Sequence, residues 1–295
     1  MNSRFEDIRR EVDDELRNVF DTRGDIPKKL LESMRYSIFA GGKRLRPTLV
    51  ALAAEAVGGD RRAAMPTAAA FEIIHTYTLI HDDLPAMDDD DLRRGLPTNH
   101  IKFGEATAIL AGDSLLTLAF ELMAKPLPEE MGVSPSVQLE VVRRAAVAVG
   151  AQGTVGGQQI DLQSEGKNGD MELLQQLHDL KTGAMIGAAV ECGGLLGGAD
   201  ENELAALSLY GKKIGLAFQI IDDILDVTGD SEKLGKKTGM DEQKSKMTYP
   251  AMLGLEKSKV MGEELVEQAV GSIKGLRGDT GPLAELARYI TVRTN

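Results

Sequence analysis

Tryptophan is absent from this 295-residue chain, and aromatic residues make up only 4% of it. A core rich in Ala, Leu, Gly and Met but poor in large rings suits helices packed on helices. Cysteine occurs once, at Cys192, which excludes an intrachain disulfide and fits a reducing compartment. Set in the small-residue run "GAAVECGGLLGG", that thiol reads as packing rather than as a nucleophile. Positive charge is in deficit: 34 Lys and Arg face 46 Asp and Glu, a formal net charge of -12. Such a balance argues against nonspecific attraction to nucleic acid or anionic lipid. An anionic substrate would need a local basic or metal-filled site to overcome it. The N-terminal "MNSRFEDIRREVDDELRNVF" lacks the apolar centre of a signal peptide. No apolar run reads as long and charge-free enough to span a bilayer, so the expected location is cytoplasmic.

Strand-like alternation is also missing, whereas apolar residues recur at helical spacing almost throughout. The spacing predicts helices near 4–20, 27–39, 44–57, 62–83, 104–124, 135–163, 170–192, 201–227, 248–255, 257–276 and 281–292. Gly, Pro and polar clusters punctuate them. The longest irregular stretch, 228–246, is polar, lysine-rich and long enough to be a functional lid. No linker separates two compositions, so residues 1–295 read as one all-α domain.

What the chain has in abundance is clustered acid. "HDDLPAMDDDDLRRG" places Asp82, Asp83, Asp88, Asp89, Asp90 and Asp91 within ten residues, at the end of an apolar helix. Carboxylates this close raise one another's pKa unless a cation neutralises them. A second segment, "GLAFQIIDDILDVTGD", repeats the plan, and its Asp222, Asp223 and Asp226 fall on one helical face at spacings of three and four. Two acid-ended helices facing each other across a bundle would build a cation site from both sides. Oxygen ligands of this kind suit a hard divalent ion such as magnesium, which takes a few carboxylates together with phosphate oxygens and water. In an unbroken helix, Asp82 and Asp88 would point about 240° apart. Pro85 lies between them, so a kink or bulge from Leu84 to Met87 is expected to swing Asp88 back beside Asp82. Asp89, Asp90 and Asp91 read as a solvated run that offsets the arginines after it.

The basic residues point to phosphate. "GGKRLRP" offers Lys43 and Arg46 on one side of a helix start, where backbone amides favour anions and guanidinium forks match phosphate oxygens. Arg44 should face elsewhere, as a surface residue. Arg93 and Arg94 follow the first acid cluster. "KTG" at Lys181 and Thr182 interrupts a small-residue helix, and Gln219 lies one turn before Asp222. His75 is seven residues before Asp82, nearly on the same face.

These segments occur in order: "GGKRLRP", "HDDLPAMDDDDLRRGLPTNH", "KFGEATAILAGDSLL", "GGQQIDL", "KTG", "FQIIDDILDVTGD" and "GKKTGMDEQKSKMTYPAMLGLE". With them the chain resembles the trans-prenyl diphosphate synthases, of the short-chain bacterial farnesyl diphosphate synthase type. The resemblance implies a helical bundle around a deep central cavity, the isoprenoid synthase-like fold, working as a homodimer. It implies that Asp82, Asp88 and Asp222 hold three magnesium ions on an allylic diphosphate, with Asp83, Asp223 and Asp226 supporting through water or hydrogen bonds. Arg93, Lys181, Lys236 and Lys246 would reach the same diphosphate. Lys43, Arg46, His75 and Arg94 would bind isopentenyl diphosphate in a metal-free site. The Lys181 carbonyl, the Thr182 hydroxyl and the Gln219 amide oxygen would face the carbocation. Tyr77, five residues before Asp82 and about 7.5 Å deeper along the axis, would floor the product tunnel. An aromatic there implies the fifteen-carbon product; the smaller Thr78 beside it keeps the twenty-carbon product as the alternative. A terpene cyclase would usually carry an Asn/Ser/Glu-type second motif where "DDILD" stands. A non-catalytic partner subunit need not keep both acid clusters. Arg293, near the terminus, is expected to be solvent-exposed.

Overall fold

A computed structural model describes residues 3–164, 166, 169–228 and 247–292. Among them, helices occupy nearly every expected stretch. They are α1 (Ser3–Asp21), α2 (Lys28–Ile38), α3 (Leu45–Ala56), α4 (Met65–Asp82), α5 (Asn99–Phe103), α6 (Glu105–Ala124), α7 (Pro135–Val149) and α8 (Thr154–Ser164). Then come α9 (Met171–His178), α10 (Ala184–Leu196), α11 (Glu201–Thr228), α12 (Tyr249–Leu253), α13 (Leu255–Ser272) and α14 (Gly281–Val292). The expected 62–83 helix begins with a separate 3-10 turn, Arg61–Ala64, capped by the Asp60 side chain. The expected 257–276 helix runs two residues earlier and stops at Ser272.

Three expectations change. The helix expected over 135–163 is two, parted at Gly150–Gly153; a Cβ on Gly153 would lie 2.0 Å from the Ala148 carbonyl oxygen, so the chain can only turn there with glycine. Between α9 and α10 the chain forms a π turn, Asp179–Gly183. Strand is not wholly absent either: β1 (Leu92–Arg93) and β2 (Leu96–Pro97) pair antiparallel, with Leu92 opposite Pro97. Arg94 and Gly95 both have positive φ, 55° and 76°, as a two-residue hairpin loop requires.

The core is aliphatic. α4 packs on α6 and α3, α10 lies between α3, α7 and α11, and α11 packs on α13. α10 and α11 approach closely enough that a Cβ on Gly211 would sit 2.8 Å from the Cα of Gly187. Cys192 is fully buried, and its thiol donates to the Val141 carbonyl. By length and hydropathy, α6 and α11 are in fact long and apolar enough to cross a membrane, contrary to the sequence expectation. Here both are bundle helices, and α11 carries Lys212, Lys213 and the second acid motif.

Candidate active site

α4 ends at Asp82 rather than kinking onward. The chain then folds back on itself: Leu84 N–H donates to the His81 carbonyl, Met87 N–H to Leu84, and Asp88 N–H to the Asp82 carbonyl at 2.9 Å. Asp88 is thereby brought beside Asp82, as the sequence required, by helix termination instead of a bulge within the helix. Burial raises the Asp82 carboxyl to about 6; Lys181 opposes the shift and Asp88 adds to it. Asp83 turns the other way and takes two hydrogen bonds from the Arg93 guanidinium. Asp90 adds a longer contact to Arg93 at 3.4 Å, while Asp89 and Asp91 are exposed.

The hairpin that carries Arg93 and Arg94 is pinned to α2. Tyr36 donates its hydroxyl proton to the Pro97 carbonyl at 2.8 Å, and the buried Asn99 amide donates to the Ser33 carbonyl and the Ser37 hydroxyl. Pinning swings Arg94 against the "GG" of the first basic motif, where it donates to the Gly41 carbonyl. A Cβ on Gly42 would lie 2.8 Å from that guanidinium, and Gly42 has φ 141°, so both the backbone and the close approach demand glycine.

Arg44 is not the surface residue expected. Its backbone is left-handed and its side chain is 4% exposed. The guanidinium bonds Asp13 at 2.9 Å, Glu72 at 2.7 Å and the Ile38 carbonyl at 3.0 Å. It is a structural clamp joining α1, α2 and α4. Lys43 beside it is exposed, and Arg46, one turn on, reaches the cavity wall. Burial pulls the Arg46 guanidinium down to about 10, with Glu72, Arg94 and Asp222 also in reach; its Nε is buried without a hydrogen-bond partner. His75 is driven well below the usual histidine range by burial and by Arg46, Arg94, Arg93 and Arg44 around it. The imidazole is therefore neutral. In a chain with an excess of acid, so dense a cationic corner is built for an anion.

The opposite wall comes from α8 and the π turn, with α11 behind them. Gly157 lets α8 press onto the turn: a Cβ there would lie 2.3 Å from the Lys181 amide nitrogen. Asp161, on α8, accepts a hydrogen bond from the Lys181 ammonium. Thr182 donates its hydroxyl proton to the Gln219 Oε1 at 2.9 Å. Within the second acid motif burial separates the carboxylates, since Asp223 and Asp226 are 3% and 5% exposed while Asp222 is only half-buried.

Between these walls lies a cavity of about 420 Å³, lined among others by Arg46, His75, Tyr77, Asp82, Gln158, Lys181 and Thr182. Tyr77 is 5% exposed, and its ring meets the His81 ring edge-on at 5.7 Å. His81 in turn packs on α6, bonding the Ile109 carbonyl at 3.1 Å. The Tyr77 hydroxyl and both amide atoms of Gln158 are buried with no protein partner, so the wall keeps polar groups for something that enters.

Lys236, Lys246, Arg293 and nearly all of the suspected lid lie outside the described residues. The structure adds Asp161, Gln158 and the backbone of Tyr249 to the residues around the cavity. The first two were within sight: "GGQQIDL" puts Gln158 and Asp161 three apart on one helical face.

Among the described residues no three metal-ligating side chains converge on one point. The fit is to magnesium already carrying a diphosphate, which completes its shell with phosphate oxygens and water. The half-buried Asp82, its carboxyl raised to about 6, is the carboxylate such a complex would relieve.

Residues 27–278 match the profile of the family described as polyprenyl synthetase. The farnesyl diphosphate synthase of Escherichia coli (strain K12) is 49% identical over 269 residues, covering 90% of this chain and 89% of that one. The heterodimeric geranylgeranyl pyrophosphate synthase large subunit 1 of Arabidopsis thaliana is 47% identical over 273 residues, 91% of this chain and 73% of that protein. The crystal structure of geranylgeranyl pyrophosphate synthetase from Pyrococcus horikoshii superposes with a TM-score of 0.88 at 30% identity, over 99% of this chain and 98% of that one.

Proposed function

This chain belongs to the polyprenyl synthetase family and is a short-chain trans-prenyltransferase; we propose that it makes farnesyl diphosphate, joining isopentenyl diphosphate head-to-tail to dimethylallyl and then geranyl diphosphate. The observation that carries this reading is one cavity lined by unlike polar groups. Asp82, Lys181 and Thr182 share it with Arg46 and His75, and Arg94 lies close enough to act on His75 from outside the lining.

Asp82, Asp88 and Asp222 would hold magnesium on the allylic diphosphate. When bound, the metal offsets the negative charge that grows on the leaving group. Lys181, steadied by Asp161, presents its ammonium to the same diphosphate. Arg93, held by Asp83 beside the first acid motif, would turn to the same diphosphate when it binds. As the allylic carbon–oxygen bond breaks, positive charge develops on carbon. The Lys181 carbonyl and the Thr182 and Gln219 oxygens supply negative dipole ends that cannot add to it. The π turn suits this task, because it breaks the regular hydrogen-bond ladder at Lys181.

Lys43, Arg46 and Arg94 hold the diphosphate of isopentenyl diphosphate, and neutral His75 adds a hydrogen bond rather than a charge. Its double bond attacks the allylic carbon, and the departed diphosphate takes the proton lost from the new chain. The apolar wall excludes water, which would trap the cation.

Tyr77 floors the tunnel and limits the product to fifteen carbons. The half-buried Thr78, which lines the same cavity, favours a second reading, release of the twenty-carbon product. We further propose that one domain spans residues 1–295 and that two copies pair through α5 and α6, where Ile101, Ile109 and Leu110 are exposed. A cytoplasmic setting suits the single buried thiol. The test is chromatography of products from purified enzyme given both five-carbon diphosphates and magnesium. Farnesyl diphosphate supports the reading, geranylgeranyl diphosphate replaces the product, and no condensation overturns the assignment.

A further inference from the structure

Asp223 is a buried carboxylate whose two oxygens meet two different donors. Gln219, one turn earlier on α11, donates Nε2–H to Oδ1 at 3.1 Å. The backbone N–H of Tyr249, at the start of α12, donates to Oδ2 at 3.0 Å. Beyond Gln219 the chain of bonds continues to Thr182, whose hydroxyl donates to Gln219 Oε1 at 2.9 Å.

The order of donors is dictated by chemistry. A main-chain N–H can only donate, so Asp223 must accept from Tyr249. The Gln219 carboxamide meets Asp223 with its donor end, Nε2, and Thr182 with its acceptor end, Oε1. An amide oxygen only accepts. Thr182 therefore commits its single hydroxyl hydrogen to Gln219. That leaves the lone pairs of its oxygen, which lines the cavity, directed away from the bond and towards whatever fills that space.

From this geometry we propose that Asp223 is a positioning residue that acts through Gln219. It fixes the orientation of the Gln219 carboxamide, and with it the polarity that Thr182 presents to positive charge in the cavity. Without the carboxylate the amide is free to turn over. Nε2 would then face Thr182, the hydroxyl proton would swing into the cavity, and the dipole would oppose a cation instead of stabilising it. The second acid motif thus divides its work: Asp222 faces the diphosphate, and Asp223 sets the electrostatics next to the hydrocarbon.

The proposal rests on the prenyl-transfer reading, and the experiment separates the two. Inhibition constants are measured on the purified full chain for an allylic diphosphate analogue with an ammonium nitrogen at the carbon that becomes cationic, and for its neutral carbon isostere. Wild type is expected to prefer the ammonium analogue. Asp223→Asn is expected to cut that preference by about tenfold, the effect of one charge-assisted hydrogen bond. Its magnesium concentration for half-maximal rate should move by less than about twofold. Thr182→Val should lower the preference at least as far, and adding Asp223→Asn to it should cost less than the two single losses together, because Asp223 and Thr182 are linked through Gln219. Should Asp223→Asn fail to fold, Gln219→Leu breaks the same chain while keeping the carboxylate, and the same loss is expected. A preference retained in these variants, additive effects, or a shifted magnesium curve with preference intact overturns the proposal. Wild-type enzyme that makes no prenyl product overturns the functional reading and this inference with it.

Discussion

The Lys181 ammonium is held by the Asp161 carboxylate across the face where α8 meets the π turn. These residues are twenty apart in sequence, and the lack of a side chain at Gly157 permits the approach that joins them. Lys181 thus reaches the cavity already aimed, with part of its rotamer freedom removed before substrate arrives.

Asp161→Asn is expected to lower turnover by about tenfold or more, since a charged hydrogen bond contributes about 1.5–3 kcal/mol and 1.4 kcal/mol is a factor of ten. The loss should fall on kcat and on KM for the allylic substrate, leaving KM for isopentenyl diphosphate unchanged. Steady-state kinetics with each substrate varied in turn checks it.

Arg44→Ala should unfold the protein at markedly lower temperature while contributing nothing to substrate contact. Removing the guanidinium takes from the buried Glu72 its hydrogen-bonded partner, with only the more distant Arg46 and Arg94 charges left, at a cost of up to about 3–5 kcal/mol. Calorimetric or circular-dichroism melting measures the loss. Arg46→Ala, beside it, should instead raise KM for isopentenyl diphosphate with little change in melting temperature.

Tyr77→Ala opens the tunnel floor, and longer prenyl products are expected to appear on chromatography. An unchanged product length would place the floor elsewhere, with the His81 ring that leans on Tyr77 as the next residue to test.

The proton on Asp82 sets the pH dependence of metal-loaded substrate binding. Its carboxyl is lifted from 3.8 to about 6, so between those values the native protein holds a proton that the unfolded chain lacks. That increment of stability is full at the acid end and is lost as pH rises through 6. A carboxylate must shed its proton to become a ligand. Binding of magnesium with an allylic diphosphate analogue should therefore release about one proton near pH 5.5 and almost none at pH 7.5. Calorimetry in buffers of different ionisation enthalpy counts them.

The residues alone determined where most of the helical stretches lie, though not their breaks at Gly150–Gly153 and at the π turn, that two of them end in acid, and that basic segments lie between them in order. Each of these is a local matter of spacing at three, four and seven along one helix. Even the return of Asp88 to Asp82 was foreseeable, because Pro85 forbids a regular helix there; only its form, termination in place of a kink, was not. What tertiary structure decided is which charge meets which. Arg44 and Arg46 are two residues apart in one motif, yet one clamps α1 to α4 and the other opens on the cavity, because a left-handed backbone at Arg44 reverses the chain between them. Asp222 and Asp223 are neighbours with different surroundings for the same kind of reason: the partners of Asp223 include Tyr249, 26 residues away. Pairings across helices depend on packing distances that sequence spacing does not encode, and only the tertiary structure decided them.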